Sequence, residues 1–522
     1  GFTQEELDAL MQRSEALGEI EDVYALTPMQ QGMLFHSRLD PQAGAYVNQI
    51  HLTLQGELQP TAFEQSWQTV VQRHAVLRTS IDSEWRNEPL QVVYRKRPFT
   101  IAYRDLSMYD AGKQAASIAQ WKSDDRKQGF AVASESLMRV SVLRTGEQTH
   151  EVLWSFHHLL MDGWCLPLVM EEVLGIYNAL RAGEEAPLRS VRAYRDYIRW
   201  LSEQDGNSAR SYWKEQLEGS EALSALPKRQ RQTQGYEAAQ GYEAKRVSWI
   251  VPREQSKAIA LAATAHGVTV STLLQTAWGL VLHAYSGSRD AVFGGVVSGR
   301  PADLPGVEGM IGLFINTLPV RVTCDGQETV ADLLRRMQGQ ALASQGYAYY
   351  PLHEIQAQCA GTRELFDHIL VFENYPMQTA QAEASADASG LEITGVQADE
   401  QTNYDLNVMI QPGEELHIHF DYNGQVYEQG TMERLQGHWM RMVEQIVSTP
   451  NVAVDKLELL TAEEREELLA TFNDTAMELP AEATVHGLFE QQAARTPEQP
   501  ALVSGEAVWT YGELEARANR IA

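Results

Sequence analysis

Three cysteines in 522 residues, Cys165, Cys324 and Cys359, are too few, too widely spaced and odd in number for a disulfide framework or a zinc knuckle. A reducing, cytoplasmic setting is expected. No apolar run approaches the length of a membrane span, and Gly1 to Glu21 is acidic and amphipathic instead of basic then apolar, so a soluble protein is expected. Basic residues are scarce as well. With 42 Lys and Arg against 70 Asp and Glu, the net charge is −28, which argues against nucleic acid or an anionic membrane as partner. Local clusters such as Arg95-Lys96-Arg97 and Lys228-Arg229-Gln230-Arg231 read as solvated loops. Neither HExxH nor paired CxxC occurs, and no metal is expected. The nearest Ser-based pattern, Gly295-Val296-Val297-Ser298-Gly299, has the wrong spacing for a nucleophile elbow, so no covalent acyl-enzyme is expected.

What is present is enough apolar residue, 44%, for well-packed cores, in a chain long enough for two or three domains. Strand-like and helix-like segments alternate throughout, which indicates two α/β lobes instead of a barrel or bundle. After a short acidic helix over about Thr3 to Leu17, Ala62 to His74 is helical in pattern. Gln91 to Tyr94, Ile101 to Tyr103 and Arg139 to Leu143 are strand-like. Helices around Tyr194 to Gln204 and Ala209 to Leu217 finish the first half. Between Ala225 and Ala244 the pattern fails, with Pro227 and the short duplication Gln234 to Ala238 and Gln240 to Ala244, and the lobe boundary is placed there. The second half restarts with a strand over Ala244 to Val251, a helix stopped near Gly267 and another over Val270 to Tyr285. Strands at Val292 to Val297 and Thr317 to Val322 follow. Thr379 to Gly390, rich in Ala, Ser and Gln, reads as a mobile loop, and Thr461 to Leu469 as a helix in a linker.

The segment richest in chemistry is His157-His158-Leu159-Leu160-Met161-Asp162-Gly163-Trp164. Glu151 to Phe156 before it is full of β-formers, while Leu166, Val169, Met170, Val173, Tyr177 and Leu180 recur at helical spacing after it. Two imidazoles and a carboxylate therefore sit on a strand-to-helix loop beside a glycine that lets backbone or substrate approach closely. Histidine is the side chain best able to exchange a proton near neutral pH, and the arrangement suits acyl transfer. A single His at such a place is also a common hydrogen-bonded structural residue, so the rest of the chain decides.

Several further segments, in order, resemble the condensation domain of non-ribosomal peptide synthetases over roughly Asp22 to Leu460. Leu26 to His36 is similar to that family's first core motif, Arg73-His74-Ala75-Val76-Leu77-Arg78-Thr79 to its second, with Ala75 where Glu is commoner, and His157 to Gly163 to its third. Tyr194 to Trp200 resembles the fourth and Ile311-Gly312-Leu313-Phe314-Ile315-Asn316-Thr317 the fifth. Tyr350-Pro351-Leu352 and Phe366-Asp367-His368 to Pro376 resemble the last two, the final one departing from the commonest form. His486-Gly487-Leu488-Phe489 through Trp509-Thr510-Tyr511-Gly512-Glu513-Leu514 to Ala522 looks like the opening of an adenylation domain, and no Gly-Gly-His-Ser-Leu carrier motif appears. The resemblance implies residues 1–21 as a linker after an upstream carrier, 22–225 and 226–460 as two chloramphenicol-acetyltransferase-like lobes in a V with the active site in a tunnel between them, 461–485 as a linker and 486–522 as a truncated adenylation start.

The implied reaction is attack by the α-amine of a carrier-bound aminoacyl thioester on an upstream carrier-bound peptidyl or aminoacyl thioester. The phosphopantetheine arms belong to the partner carriers, and no cofactor is held by the chain. Such an amine has a pKa near ~8, so only about a tenth is neutral at pH 7. The resemblance gives His158 the assisting role, as a base or as the group that orients the amine, and His157 more a supporting one. Gly163 offers a backbone N–H to a developing oxyanion. Asp162 turns away to pair with an arginine across the lobes, for which Arg300 is the best match. Arg73, Arg78, Trp200 and Asn316 are supporting candidates. Leu26 to His36, Met161, Trp164-Cys165 and Gly312 to Thr317 look like the subclass that joins a donor ending in a D-residue to an L-acceptor. An epimerisation domain, a coenzyme A-dependent acyltransferase and a non-catalytic carrier-docking module remain alternatives.

Overall fold

Short apolar runs buried almost continuously make the central strands of the two main sheets, such as Glu151 to His157 and His368 to Phe372, while the edge strand Ala244 to Val251 alternates between covered and exposed side chains. The first half supplies β1 (Ile20–Ala25), β2 (Val47–Gly56), β3 (Thr79–Asp82), β4 (Leu90–Tyr94), β5 (Ile101–Asp105), β6 (Met138–Arg144) and β7 (Thr149–His157). The second half supplies β8 (Ala244–Val251), β9 (Asp290–Val297), β10 (Asn316–Thr323), β11 (His368–Phe372), β12 (Leu391–Asp399), β13 (Leu406–Gln411) and β14 (Leu416–Asn423). In this computed structural model the described residues are 3–39, 46–83, 88–186, 188–220, 226–229, 242–359, 365–373, 391–478, 484–505 and 507–521. Most of the duplicated connector, the 225/226 lobe boundary, the stretch Thr379 to Gly390 and the end of the last motif at Pro376 lie outside them.

Residues Gly1–Leu459 make one compact unit with two α/β lobes. The first lobe is built on a five-stranded sheet of order β12-β2-β7-β6-β5 and the second on a six-stranded sheet of order β10-β9-β11-β13-β14-β8; β1, β4 and β3 form a small third sheet. Buried aromatic residues fill each lobe. Trp67 meets Trp154 edge to face at 5.1 Å in the first, and Trp278 meets Trp439 at 5.2 Å in the second.

The spatial lobes are not the sequential halves. β12, from the second half, runs antiparallel to β2 and becomes the edge of the first lobe's sheet, with Ala398 opposite Ile50 and Asp399 opposite Gln49. Conversely, the helix Gly206–Leu217, expected to close the first half, turns its apolar face of Ala209, Trp213 and Leu217 onto Tyr350, Ile355, Phe366 and Ile369. An apolar helical face is the same whichever partner covers it, so its pattern carries no address.

Leu460–Ala522 is a separate unit. It contains the helices Ala462–Glu466, Val485–Arg495 and Tyr511–Ile521 and the antiparallel hairpin of β15 (Pro500–Ser504) and β16 (Ala507–Thr510). The expected helix from Thr461 opens on a capping box, Thr461 with Glu464, and continues as a π turn over Glu467–Thr471. Among its described residues only Ala493 is buried. Among the described residues of the whole chain, no single helix is long and apolar enough to cross a membrane.

Candidate active site

β7 ends on His157, and the helix Cys165–Ala182 begins eight residues later, so the loop between them is held at both ends. Successive residues leaving a strand point to opposite faces, which separates the two imidazoles. His157 turns inward: its Nδ1 accepts the Leu159 N–H at 3.1 Å and its Nε2 lies 3.2 Å from Ser37 Oγ. Acceptance at Nδ1 places the proton on Nε2, where Ser37 Oγ receives it. Burial first, then the neighbouring His158, push the His157 pKa down to about 3, so the ring is neutral and serves as a hydrogen-bonded support.

His158 faces a cavity of about 1150 Å³ lined by both lobes, including Met29, Gly163, Trp249, Asn316, Asp399 and Glu400. Its side chain is only 4% exposed, and its Nε2 lies 3.1 Å from Glu400 Oε1. Burial is the largest single influence on this ring and would lower its pKa. The hydrogen bond and charge of Glu400, with a smaller effect from Asp162, more than offset it and raise the pKa. Glu400 responds reciprocally: burial would raise its carboxyl, but His158 holds it below the usual carboxylate range. Nδ1 of His158 is buried and has no hydrogen-bond partner among the described residues.

Asp162 is completely buried and points away from this pair. Its Oδ1 takes Arg300 Nη2 at 3.3 Å and the Cys165 thiol at 3.4 Å, while Oδ2 accepts the backbone N–H groups of Phe314 at 2.9 Å and Ile315 at 3.4 Å. Arg300 also donates to the carbonyls of Val307 and Met310 and lies over the Phe314 ring at 4.0 Å. Gly299 makes this possible: at φ 61° it brings the chain so close to the Phe314 carbonyl that a Cβ would sit 1.7 Å from the oxygen. Gly312 does the same against Tyr194, whose ring would be 2.2 Å from an added Cβ. Burial, then the charge of Asp162, push the Cys165 thiol up to about 12, so it acts as a small neutral filler within the cluster.

The other candidates sort by distance from the cavity. Gly163 lines it, and no acceptor takes its N–H among the described residues. Asn316 also lines it, and its amide bonds the carbonyls of Ala348 and Tyr350 at 2.7 and 3.0 Å, which shapes the wall. Arg73, Arg78 and Trp200 do not line it. Arg73 pairs with Glu172 at 2.7 Å, Arg78 with Glu21 at 2.6 Å, and Trp200 donates to Asp303 at 3.0 Å and stacks on Tyr197. Sequence reasoning missed Glu400, which carries no motif and reaches the site only because β12 crosses between the lobes.

The condensation-domain family profile matches residues 20–469. A component of the mycosubtilin synthase of Bacillus subtilis is 44% identical over 518 residues, covering 99% of this chain and 20% of that protein. Tyrocidine synthase 2 of Brevibacillus parabrevis is 39% identical over 505 residues, covering 97% of this chain and 14% of that protein. The chain thus spans a fifth or less of the length of these curated relatives. A solved first condensation domain of the calcium-dependent antibiotic synthetase shares the fold, with a TM-score of 0.67 at 19% identity over 84% of this chain and all (100%) of that one. A four-domain nonribosomal peptide synthetase bound to AMP and glycine gives a TM-score of 0.75 at 17% identity, over 95% of this chain and 38% of that one.

Proposed function

The chain belongs to the condensation-domain family, and on that premise we propose that it forms the peptide bond between a carrier-bound donor thioester and a carrier-bound aminoacyl acceptor in non-ribosomal peptide synthesis. The observation that carries this reading is His158, the one ring of the histidine pair that lines the interlobe cavity. At about 1150 Å³ that cavity exceeds the roughly 300–1,000 Å³ of ordinary small-molecule sites, room enough for the ends of two thioester-bearing arms. Those phosphopantetheine arms would come from upstream and downstream carrier domains, and the chain itself holds no cofactor.

His158 assists the amine, either by taking its proton or by holding it in line, while the new C–N bond forms, the C–S bond breaks and the donor thiol leaves. The Gly163 N–H, at the start of the helix Cys165–Ala182, is the donor for the developing oxyanion. Asp162 and Arg300 brace the loop instead of exchanging protons, and Arg73, Arg78, Trp200 and Asn316 support the surrounding walls. The donor ends in a D-residue and the acceptor is an L-amino acid. In this reading residues 1–21 follow a carrier, the condensation lobes span 22–225 and 226–460 apart from the exchanged elements, and 486–522 open an adenylation domain after a linker, all within a cytoplasmic assembly line.

The test is single-turnover coupling between two separately loaded carriers, read by intact mass on the acceptor. The reading predicts an amide-linked product that forms faster from a D-terminated donor than from its L-epimer. Equal rates would remove the subclass; α-proton exchange on a single loaded carrier without coupling would remove the function.

A further inference from the structure

Glu400 comes to the active loop from the second half of the chain. It follows β12 directly, and the segment after that strand is fastened to the first lobe at several points. Lys122 pairs with Asp399 at 2.8 Å, and Arg126 donates to the Asp399 carbonyl at 3.3 Å. Tyr46 is a bracket between this segment and the histidine loop: its N–H donates to the Gln401 carbonyl at 2.8 Å and its hydroxyl to Asn403 Oδ1 at 2.6 Å, while its carbonyl accepts the His158 N–H at 2.8 Å. Tyr46 does so at φ 65°, the one positive-φ residue other than glycine among the described residues. A side chain with a β-carbon is held in that region only where surrounding contacts over-determine it.

With Nδ1 unpartnered, Glu400 is the only polar partner of the His158 ring among the described residues. The other influences that favour its charged form, its own backbone and the charge of Asp162, are smaller than those of Glu400. Asp162, the carboxylate nearer in sequence, has both oxygens committed to Arg300, Cys165, Phe314 and Ile315.

We propose that Glu400 is the positioning residue of His158, delivered by the strand that crosses between the lobes, so that the orientation and charge of the imidazole depend on that crossing being in place. This rests on the proposed peptide-bond-forming role of His158 but makes a separate claim about the ring. The other titratable groups that face the pair are His157, Asp162, Tyr46 and, beside Glu400, Glu373. Only Glu400 bonds the ring directly.

The test is the titration of His158 by imidazole NMR in the full chain, with His158→Ala to assign the signal, compared among wild type, Glu400→Gln and Glu400→Asp. Removing the carboxylate charge should move the His158 midpoint to lower pH in E400Q, by about one pH unit or less, with E400D in between. Where coupling is measured in parallel, its His158-dependent inflection should move the same way and the rate should fall by about tenfold or more. An unchanged His158 midpoint in E400Q overturns the proposal. If the midpoint shifts but the wild type forms no amide with any donor and acceptor, the positioning role stands and the functional reading fails.

Discussion

Two histidine–carboxylate pairs flank the same cavity, one ring in each lobe, and are built to opposite ends. In the second lobe, His368 is fully buried, with Nε2 accepting the Trp278 indole N–H at 2.9 Å and Nδ1 bonded at 2.9 Å to its own neighbour Asp367. Asp367 in turn meets Lys228 at 2.8 Å. Burial would raise the Asp367 carboxyl, but His368 and Lys228 together hold it down to about 2. Only Asp367 and Lys228 of that cluster reach the cavity. In the first lobe, His158 itself reaches the cavity, has one nitrogen without a partner and depends on a carboxylate from a crossing strand. A ring with both nitrogens bonded fixes structure, whereas a ring left one bond short beside a cavity is free to take part in chemistry.

Breaking the brace beneath the active ring should have the largest effect on stability. Asp162→Ala leaves Arg300 charged, buried and without its carboxylate, at a cost of about 3–5 kcal/mol in denaturant unfolding. A loss below about 1 kcal/mol would show that the pair does not hold the lobes' facing loops. Asp367→Asn attacks the fully bonded His368 ring and should cost about 1–3 kcal/mol while leaving the coupling rate of the folded protein near wild type. Its pH signature follows from the depressed carboxyl: the stabilisation is complete above the ordinary carboxylate pKa of about 3.9 and is lost as pH falls from there toward 2. The acid limb of the wild-type unfolding curve should therefore flatten in the variant.

A smaller effect separates another cavity carboxyl, that of Glu373, from both pairs. Glu373 has an amide partner, Gln411 at 2.7 Å, and burial, then the charges of Glu400 and Asp421, raise its pKa to about 7. A raised acid makes the folded state bind the extra proton, so its stabilisation is complete below the unfolded value near ~4.3 and declines as pH rises through the folded one. The wild-type Tm should fall by about 1–3 °C relative to Glu373→Gln between pH 5 and 8; parallel Tm profiles would contradict this assignment.

The active loop is legible in the sequence because its signals are local. The run of β-formers from Glu151 to Phe156, the helical repeat from Leu166 and the glycine at 163 place His157 and His158 on a strand-to-helix turn, and strand geometry accounts for the divergence of the two rings. Asp162 and Arg300 are connected only through the motif resemblance, since nothing in either segment names the other. Glu400 is invisible for a physical reason. β12 has a weak pattern in which only Leu391 is fully buried, and its pairing with β2 is a non-local match of backbone hydrogen bonds that side-chain periodicity does not encode. The helix Gly206–Leu217 is legible as a helix, but its lobe is not, for the same kind of reason.

The comparison of the two pairs reduces to one measurement: single-turnover coupling between two loaded carriers by wild type, His158→Ala and His368→Ala, each checked for folding under the assay conditions. The account predicts that His158→Ala lowers the rate about a hundredfold or more, while His368→Ala lowers stability and leaves the rate of the folded fraction close to wild type. An unchanged rate in His158→Ala would contradict it.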